Sequence, residues 1–155
     1  MKKPKPKKKS AWPQPFRRIK DDDLKKTRRK ENFNFAKLCG VMADYGFNLL
    51  RLSDDWEGAD AIAVHLDGKK YLRIQLKGEG LTFNTRYLRK NIWIACPSED
   101  RGWYVYPHDR LLSHVEKKRP IRNTNFWRKK GYYVQTGRMP DDVAKFLDDK
   151  RYKLS

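Results

Sequence analysis

Cysteine is nearly absent. The 155 residues contain only Cys39 and Cys96, too few for a disulfide framework or a thiolate zinc cage. Both stand in apolar sequence, where buried free thiols are usual, and neither is assigned a chemical role. Histidine is scarce too: His65, His108 and His114 are too scattered to read as a metal cluster, and no Ser-His-Asp or Cys-His nucleophile arrangement is discernible. His108, in Tyr106-Pro-His-Asp109 just before a helix, reads as structural. No apolar run approaches the roughly 20 residues that cross a bilayer. No charged segment leads into an apolar one, so neither membrane insertion nor secretion is expected. A cytoplasmic location follows, on the nucleoid if the source is bacterial.

Acidic residues are also in deficit. Asp plus Glu number 19 against 37 Lys plus Arg, a formal net charge of +18 and a sequence pI near 10.0. This excess goes beyond what solubility needs and calls for a polyanionic partner. An aromatic content of 13% exceeds that of a disordered basic tail and favours nucleic acid over a membrane surface or an acidic protein.

What is present divides into an arm and one domain. Residues 1–20 carry Lys2, Lys3, Lys5, Lys7, Lys8, Lys9, Arg17, Arg18 and Lys20, nine of the positive charges, with no acid and four prolines. Such sequence is extended and disordered, suited to phosphate contact and equally readable as a nuclear-import signal. Residues 21–155 form a single domain with 38% hydrophobic content across the chain, enough for a core. Asp21 to Asp23 offer cap acids for a helix to about Tyr45, with Phe35, Leu38, Cys39, Met42 and Tyr45 as its buried stripe. Strands follow at Phe47–Leu52, after an acidic loop in the Gly58–Gly78 hairpin, and at Asn91–Cys96, Trp103–Tyr106 and Tyr132–Thr136. Leu81–Lys90 reads as a short helix or irregular crossover and Asp109–Glu116 as a helix. Lys117–Lys130 reads as a basic loop, and a last helix starts at Pro140.

The hairpin GADAIAVHLDGKKYLRIQLKG places polar residues where alternation serves a core. Asp67-Gly68 predicts a type I′ turn. With a two-residue loop Asp60 faces Gln75; with a four-residue loop it faces Lys77. Either way Asp60, Gln75 and Lys77 share one face, and Ala61, Ala63, Leu72, Ile74 and Leu76 form the opposite, apolar one. A strand-end Asp60–Lys77 salt bridge is the plainer reading. The chemical one is a pair of hard oxygen donors beside an ammonium, which suits a divalent cation and a charged transition state.

Asp60 with its apolar strand, and Gln75-Leu76-Lys77 on the next, resemble the PD-(D/E)XK nuclease superfamily. Here Gln stands where the motif has an acid. The resemblance implies an α/β, restriction-endonuclease-like αβββαβ core, a mixed central sheet flanked by helices, followed by C-terminal strand and helix additions. It implies Asp60 as principal metal ligand, Gln75 as second ligand through its side-chain oxygen, and Lys77 as the residue that positions or activates water. Mg²⁺ or Mn²⁺ is the implied cofactor. Glu57, three residues before Asp60, and Glu31, on the first helix, are further candidate ligands. Arg86, Arg89, Lys90, Arg128, Lys129 and Lys130, with Lys7, Lys8 and Lys9 of the arm, are the candidate nucleic-acid contacts, interleaved with Phe126 and Trp127.

The expected function is metal-dependent hydrolysis of DNA by an endonuclease, with RNA as the alternative substrate and a homodimer expected because two strands need two sites. A non-catalytic nucleic-acid-binding protein that retains the fold is the competing reading, supported by Gln75. A ribosomal-type structural binder is the third, supported by pI and arm.

Overall fold

A computed structural model of the chain describes residues 18–25 and 27–155. Lys7, Lys8 and Lys9 lie outside the described residues, as does most of the arm. The elements in order are α1 (Thr27–Asp44), β1 (Phe47–Trp56), β2 (Ala59–His65), β3 (Tyr71–Leu76), β4 (Leu81–Asn84), β5 (Ile92–Pro97) and β6 (Trp103–Pro107). They continue with α2 (His108–Glu116), α3 (Asn125–Lys130), β7 (Tyr132–Gln135), α4 (Asp141–Asp149) and β8 (Lys153–Leu154). Six strands form one mixed sheet in the order β1-β2-β3-β5-β6-β8, antiparallel except for β3 and β5, while β4 and β7 pair apart. The expected class is therefore found: a mixed α/β domain whose central mixed sheet is flanked by helices.

Parallel pairing of β3 with β5 demands a crossover of about a dozen residues or more. Residues 77–91 supply it, not as a helix but as β4 followed by a 3-10 turn, Thr85–Tyr87. This irregular crossover is held off the main sheet because β4 finds a partner in β7, Phe83 opposite Tyr133.

Each face of the sheet has its own core. Leu38 and Met42 of α1 pack on Ala61, Ala63, Ile74, Ala95 and Val105, so the helix covers the apolar hairpin face that alternation singles out. On the other face, Ile94, Cys96, Tyr104 and Tyr106 pack with Leu111, Leu112, Val143 and Leu147 of α2 and α4. Burial pushes the Cys96 thiol up to about 12, in keeping with an inert core cysteine.

Several boundaries differ from expectation for local reasons. Asp21–Leu24 is a separate 3-10 turn and α1 begins at Thr27. Its first turn carries Arg28, Arg29 and Lys30 with no acid, against the helix dipole. Tyr45 lies past the helix end and is 43% exposed. The basic loop holds a 3-10 turn and α3, which Thr124 caps by accepting from the Trp127 N–H at 3.2 Å.

The hairpin register is the expected one, Ala61 opposite Ile74 and Ala63 opposite Leu72. Its turn is different. Of Asp67 and Gly68 only the glycine has positive φ, 67°. The Asp67 carboxylate accepts from Lys69 and Lys70 N–H groups at 2.8 and 3.1 Å, so a four-residue loop closes without a register shift. The two-residue turn with positive φ at both centres sits instead between β1 and β2, at Glu57 (53°) and Gly58 (90°). A Cβ on Gly58 would come within 2.7 Å of the Tyr87 ring. Gly58→Ala is therefore expected to destabilise the domain by about 1–3 kcal/mol, from strain and displacement of Tyr87, read as a lowered midpoint in chemical denaturation. An unchanged midpoint would contradict the close packing.

Candidate active site

β2 and β3 deliver the polar trio to one end of the sheet. Asp60 is half-buried at the start of β2. Its Oδ2 accepts the Gln75 Nε2–H at 2.5 Å and the Leu76 backbone N–H at 2.9 Å, leaving Oδ1 without a hydrogen bond among the described residues. Gln75 is 8% exposed, and its Nε2 also approaches the Leu76 carbonyl oxygen at 3.3 Å. One amide NH₂ thus stands between a carboxylate oxygen and a backbone carbonyl oxygen. Lys77 continues the ladder one residue beyond β3, its N–H donating to Ala95 O at 2.8 Å. Its ammonium lies 5.4 Å from the centre of the Tyr87 ring.

Burial raises the Asp60 carboxyl above the ordinary carboxylate range, opposed by the Leu76 N–H and by Lys77 and reinforced by the neighbouring charges of Asp55 and Glu31. Asp55 moves the other way. The Gly58 N–H, at 2.7 Å, and the Arg86 guanidinium both hold it below the usual range. The Arg86–Asp55 ion pair ties the crossover to the end of β1.

Asp60, Gln75 and Lys77 open onto a groove of about 1370 Å³ between the start of α1 and the ends of β1 and β3. Its walls include Glu31, Asp54 and Asp55 and the cations Lys25, Arg28, Lys30 and Arg51. Glu31 thus shares the groove with Asp60. Glu57 does not: it pairs with Arg73 at 3.4 Å on the two-residue turn.

The candidate phosphate contacts are spread more widely. Arg86 is engaged by Asp55, Arg89 is exposed with its N–H on Asp109 Oδ2 at 2.8 Å, and the Lys90 carbonyl accepts Arg73 at 2.9 Å. Arg128, Lys129 and Lys130 form the exposed last turn of α3 and do not line this groove. The cations that do line it were not distinguished by sequence reading. The acid-free first turn of α1 was the available signal. Tyr87 was missed as well, and no local pattern marks it.

His108 is fully buried, its Nε2 accepting the Asn84 N–H at 3.1 Å and its Nδ1 against Asp109 Oδ1 at 2.7 Å. Burial lowers its pKa, with Asp109 opposing. It is a structural histidine joining β4 to α2.

Among the described residues no three His, Cys, Asp or Glu side chains converge as a metal cluster. The site offers instead one carboxylate, the Gln75 side-chain oxygen and the Leu76 carbonyl. These are hard oxygens, and Mg²⁺ is commonly held by one or two carboxylates while keeping several waters. The set fits such an ion, provided the Gln75 amide turns its oxygen to the position its NH₂ now fills.

No helix among the described residues is long and apolar enough to cross a membrane. The sequence matches no known family and no curated protein. The solved structure of a bacterial homing endonuclease is similar to this chain with a TM-score of 0.44 and 17% identity, covering 82% of this chain and 94% of that one.

Proposed function

We propose that this chain is a metal-dependent endonuclease that hydrolyses DNA phosphodiester bonds. The observation that carries the reading is the Gln75 NH₂ standing between Asp60 Oδ2 and Leu76 O, at a groove end where Lys77 supplies an ammonium. Asp60, Gln75 and the Leu76 carbonyl would hold Mg²⁺ or Mn²⁺, an ion that polarises phosphate oxygen and makes a bound water more acidic. Lys77 donates to a non-bridging phosphate oxygen or to the attacking water and stabilises the negative charge that develops on the phosphoryl oxygens. Lys25, Arg28, Lys30 and Arg51 fix the backbone in the groove, and Arg128, Lys129 and Lys130 extend the contact. Glu31, which also lines the groove, would supplement Asp60. A homodimer would bring two such sites to the two strands.

The second reading, a nucleic-acid-binding protein without catalysis, takes the same contact the other way: the Gln75 NH₂ satisfies Asp60 Oδ2 and Leu76 O with no ion between them.

Nicking of supercoiled plasmid by the wild type and by Lys77→Ala, with Mg²⁺, with Mn²⁺ and with chelator, separates the two. The nuclease predicts metal-dependent nicking that falls by about 10²-fold or more in the variant. Tight binding with no nicking under any metal would establish the binder instead.

A further inference from the structure

We infer that Tyr87 is a positioning residue for Lys77, its ring face holding the ammonium in a site where position 75 provides no second carboxylate. Its catalytic consequence rests on the nuclease reading; the hold on the lysine does not. Lys77 and Gln75 lie two apart on the same strand face. An acid at 75 would give the ammonium a neighbouring counter-charge, but Gln75 is neutral and commits its NH₂ to Asp60. Among the described residues Lys77 makes no direct ion pair: Asp60 and Asp55 attract its ammonium only through space, and the cation–π contact with the Tyr87 ring is its one short-range contact there.

Tyr87 is itself fixed on several sides. It is 4% exposed, the last residue of the 3-10 turn in the crossover that joins β3 to β5. Its ring meets His108 edge to face, with centroids 5.3 Å apart and planes at 88°. His108 is immobilised in turn by Asn84 and Asp109. Gly58 packs against the Cδ1–Cε1 edge of the ring, so closely that a Cβ there would come within 2.7 Å of it. Packing alone would make Tyr87 an ordinary core residue. The added feature is a lysine ammonium over its π face, where the ring quadrupole attracts a cation most strongly when water is partly excluded.

The test reads the lysine directly. With ¹³C-labelled lysine, the wild type is expected to show one Hε resonance moved upfield by the ring current, assigned by its disappearance in Lys77→Arg. It should persist in Tyr87→Phe, which keeps the ring, and return to the position of the other lysines in Tyr87→Leu. In single-turnover DNA cleavage, Tyr87→Leu should reduce the rate at saturating DNA by about 5- to 30-fold, the scale of one cation–π contact. DNA affinity should be unchanged and Tyr87→Phe should restore the rate. Absence of a shifted lysine in the wild type would overturn the proposal whatever the protein does to DNA, and requires no variant to fold. A full cleavage rate in Tyr87→Leu, with the upfield resonance gone, would overturn the positioning role. A shifted lysine in a wild type that binds but never cuts would support the hold on Lys77 and sink the nuclease reading alone.

Discussion

Asp60→Asn is expected to remove metal-dependent cleavage, by about 10²- to 10³-fold or more, while leaving the protein at least as stable as the wild type at neutral pH. The two effects have one cause. Asp60 is half-buried, and burial raises its carboxyl above the ordinary range. A raised acid pKa in the fold means that the native state binds more protons than the unfolded one between the unfolded value, about 3.9, and the folded value. Stability therefore falls as pH rises through that window, and above it the ionised group is a standing cost. Asparagine has no charge to desolvate and keeps an oxygen to accept the Leu76 N–H, now 2.9 Å from Asp60 Oδ2. It does not keep the negative charge that would draw a divalent ion.

Thermal melts of both proteins at pH 7.5 and near pH 4 check the first half: the variant's advantage should be present at pH 7.5 and shrink on acidification. Plasmid nicking checks the second. A variant that cuts at the wild-type rate removes Asp60 from the chemistry. One that melts well below the wild type at pH 7.5 shows the charge to be structurally required. Alanine would be a poorer probe, because losing the acceptor strands a backbone N–H and an amide NH₂, at about 1–3 kcal/mol each.

Binding to duplex DNA should weaken by about 10³-fold or more between 50 and 200 mM salt, the response of a protein that neutralises roughly six or more phosphates. The premise is a formal net charge of +18 with basic side chains in separate places. Lys25, Arg28, Lys30 and Arg51 line the groove, Arg128, Lys129 and Lys130 end α3, and Lys7, Lys8 and Lys9 lie in the arm. Fluorescence anisotropy over a salt series yields the slope directly. Replacing Arg128, Lys129 and Lys130 by serine should flatten it by about one for each phosphate no longer neutralised, with little dependence on DNA sequence. A slope of about −2 or shallower in the intact protein would mean that most of the charge never meets the backbone.

The acid-free first turn of α1 gains a reason from the same picture. Arg28, Arg29 and Lys30 at a helix N-terminus oppose the dipole at a cost of a few tenths of a kcal/mol or more each. Two of the three line the groove that holds Asp60, where the proposed function would set them against phosphate.

Much of the hairpin was legible because strand geometry is local. Side chains alternate with a period of two, so Asp60, Gln75 and Lys77 had to share a face in either loop reading. The α1 stripe from Phe35 to Met42 was legible for the corresponding helical reason. Turn placement was less so: Asp67-Gly68 carries the stronger two-residue turn signal, yet the two positive φ values fall at Glu57 and Gly58. The Asp67 side chain satisfied backbone donors in a longer loop, and the acidic stretch before Glu57 continued β1. Glu57 and Glu31 could not be ranked from spacing, since their difference lies in a partner, Arg73, and in a groove that α1 shares with three strands.

Taken alone, the sequence determined the charge, the two principal hairpin strands and the common face of the three polar residues, because each follows from composition or from a repeat a few residues long. Only the tertiary structure decided that Tyr87 meets Lys77, that Arg86 pairs with Asp55, that basic residues of α1 wall the groove and that β4 leaves the main sheet for β7. Those contacts join elements far apart in the chain, and their partners are selected by how a parallel crossover and two cores pack, for which no local periodicity exists.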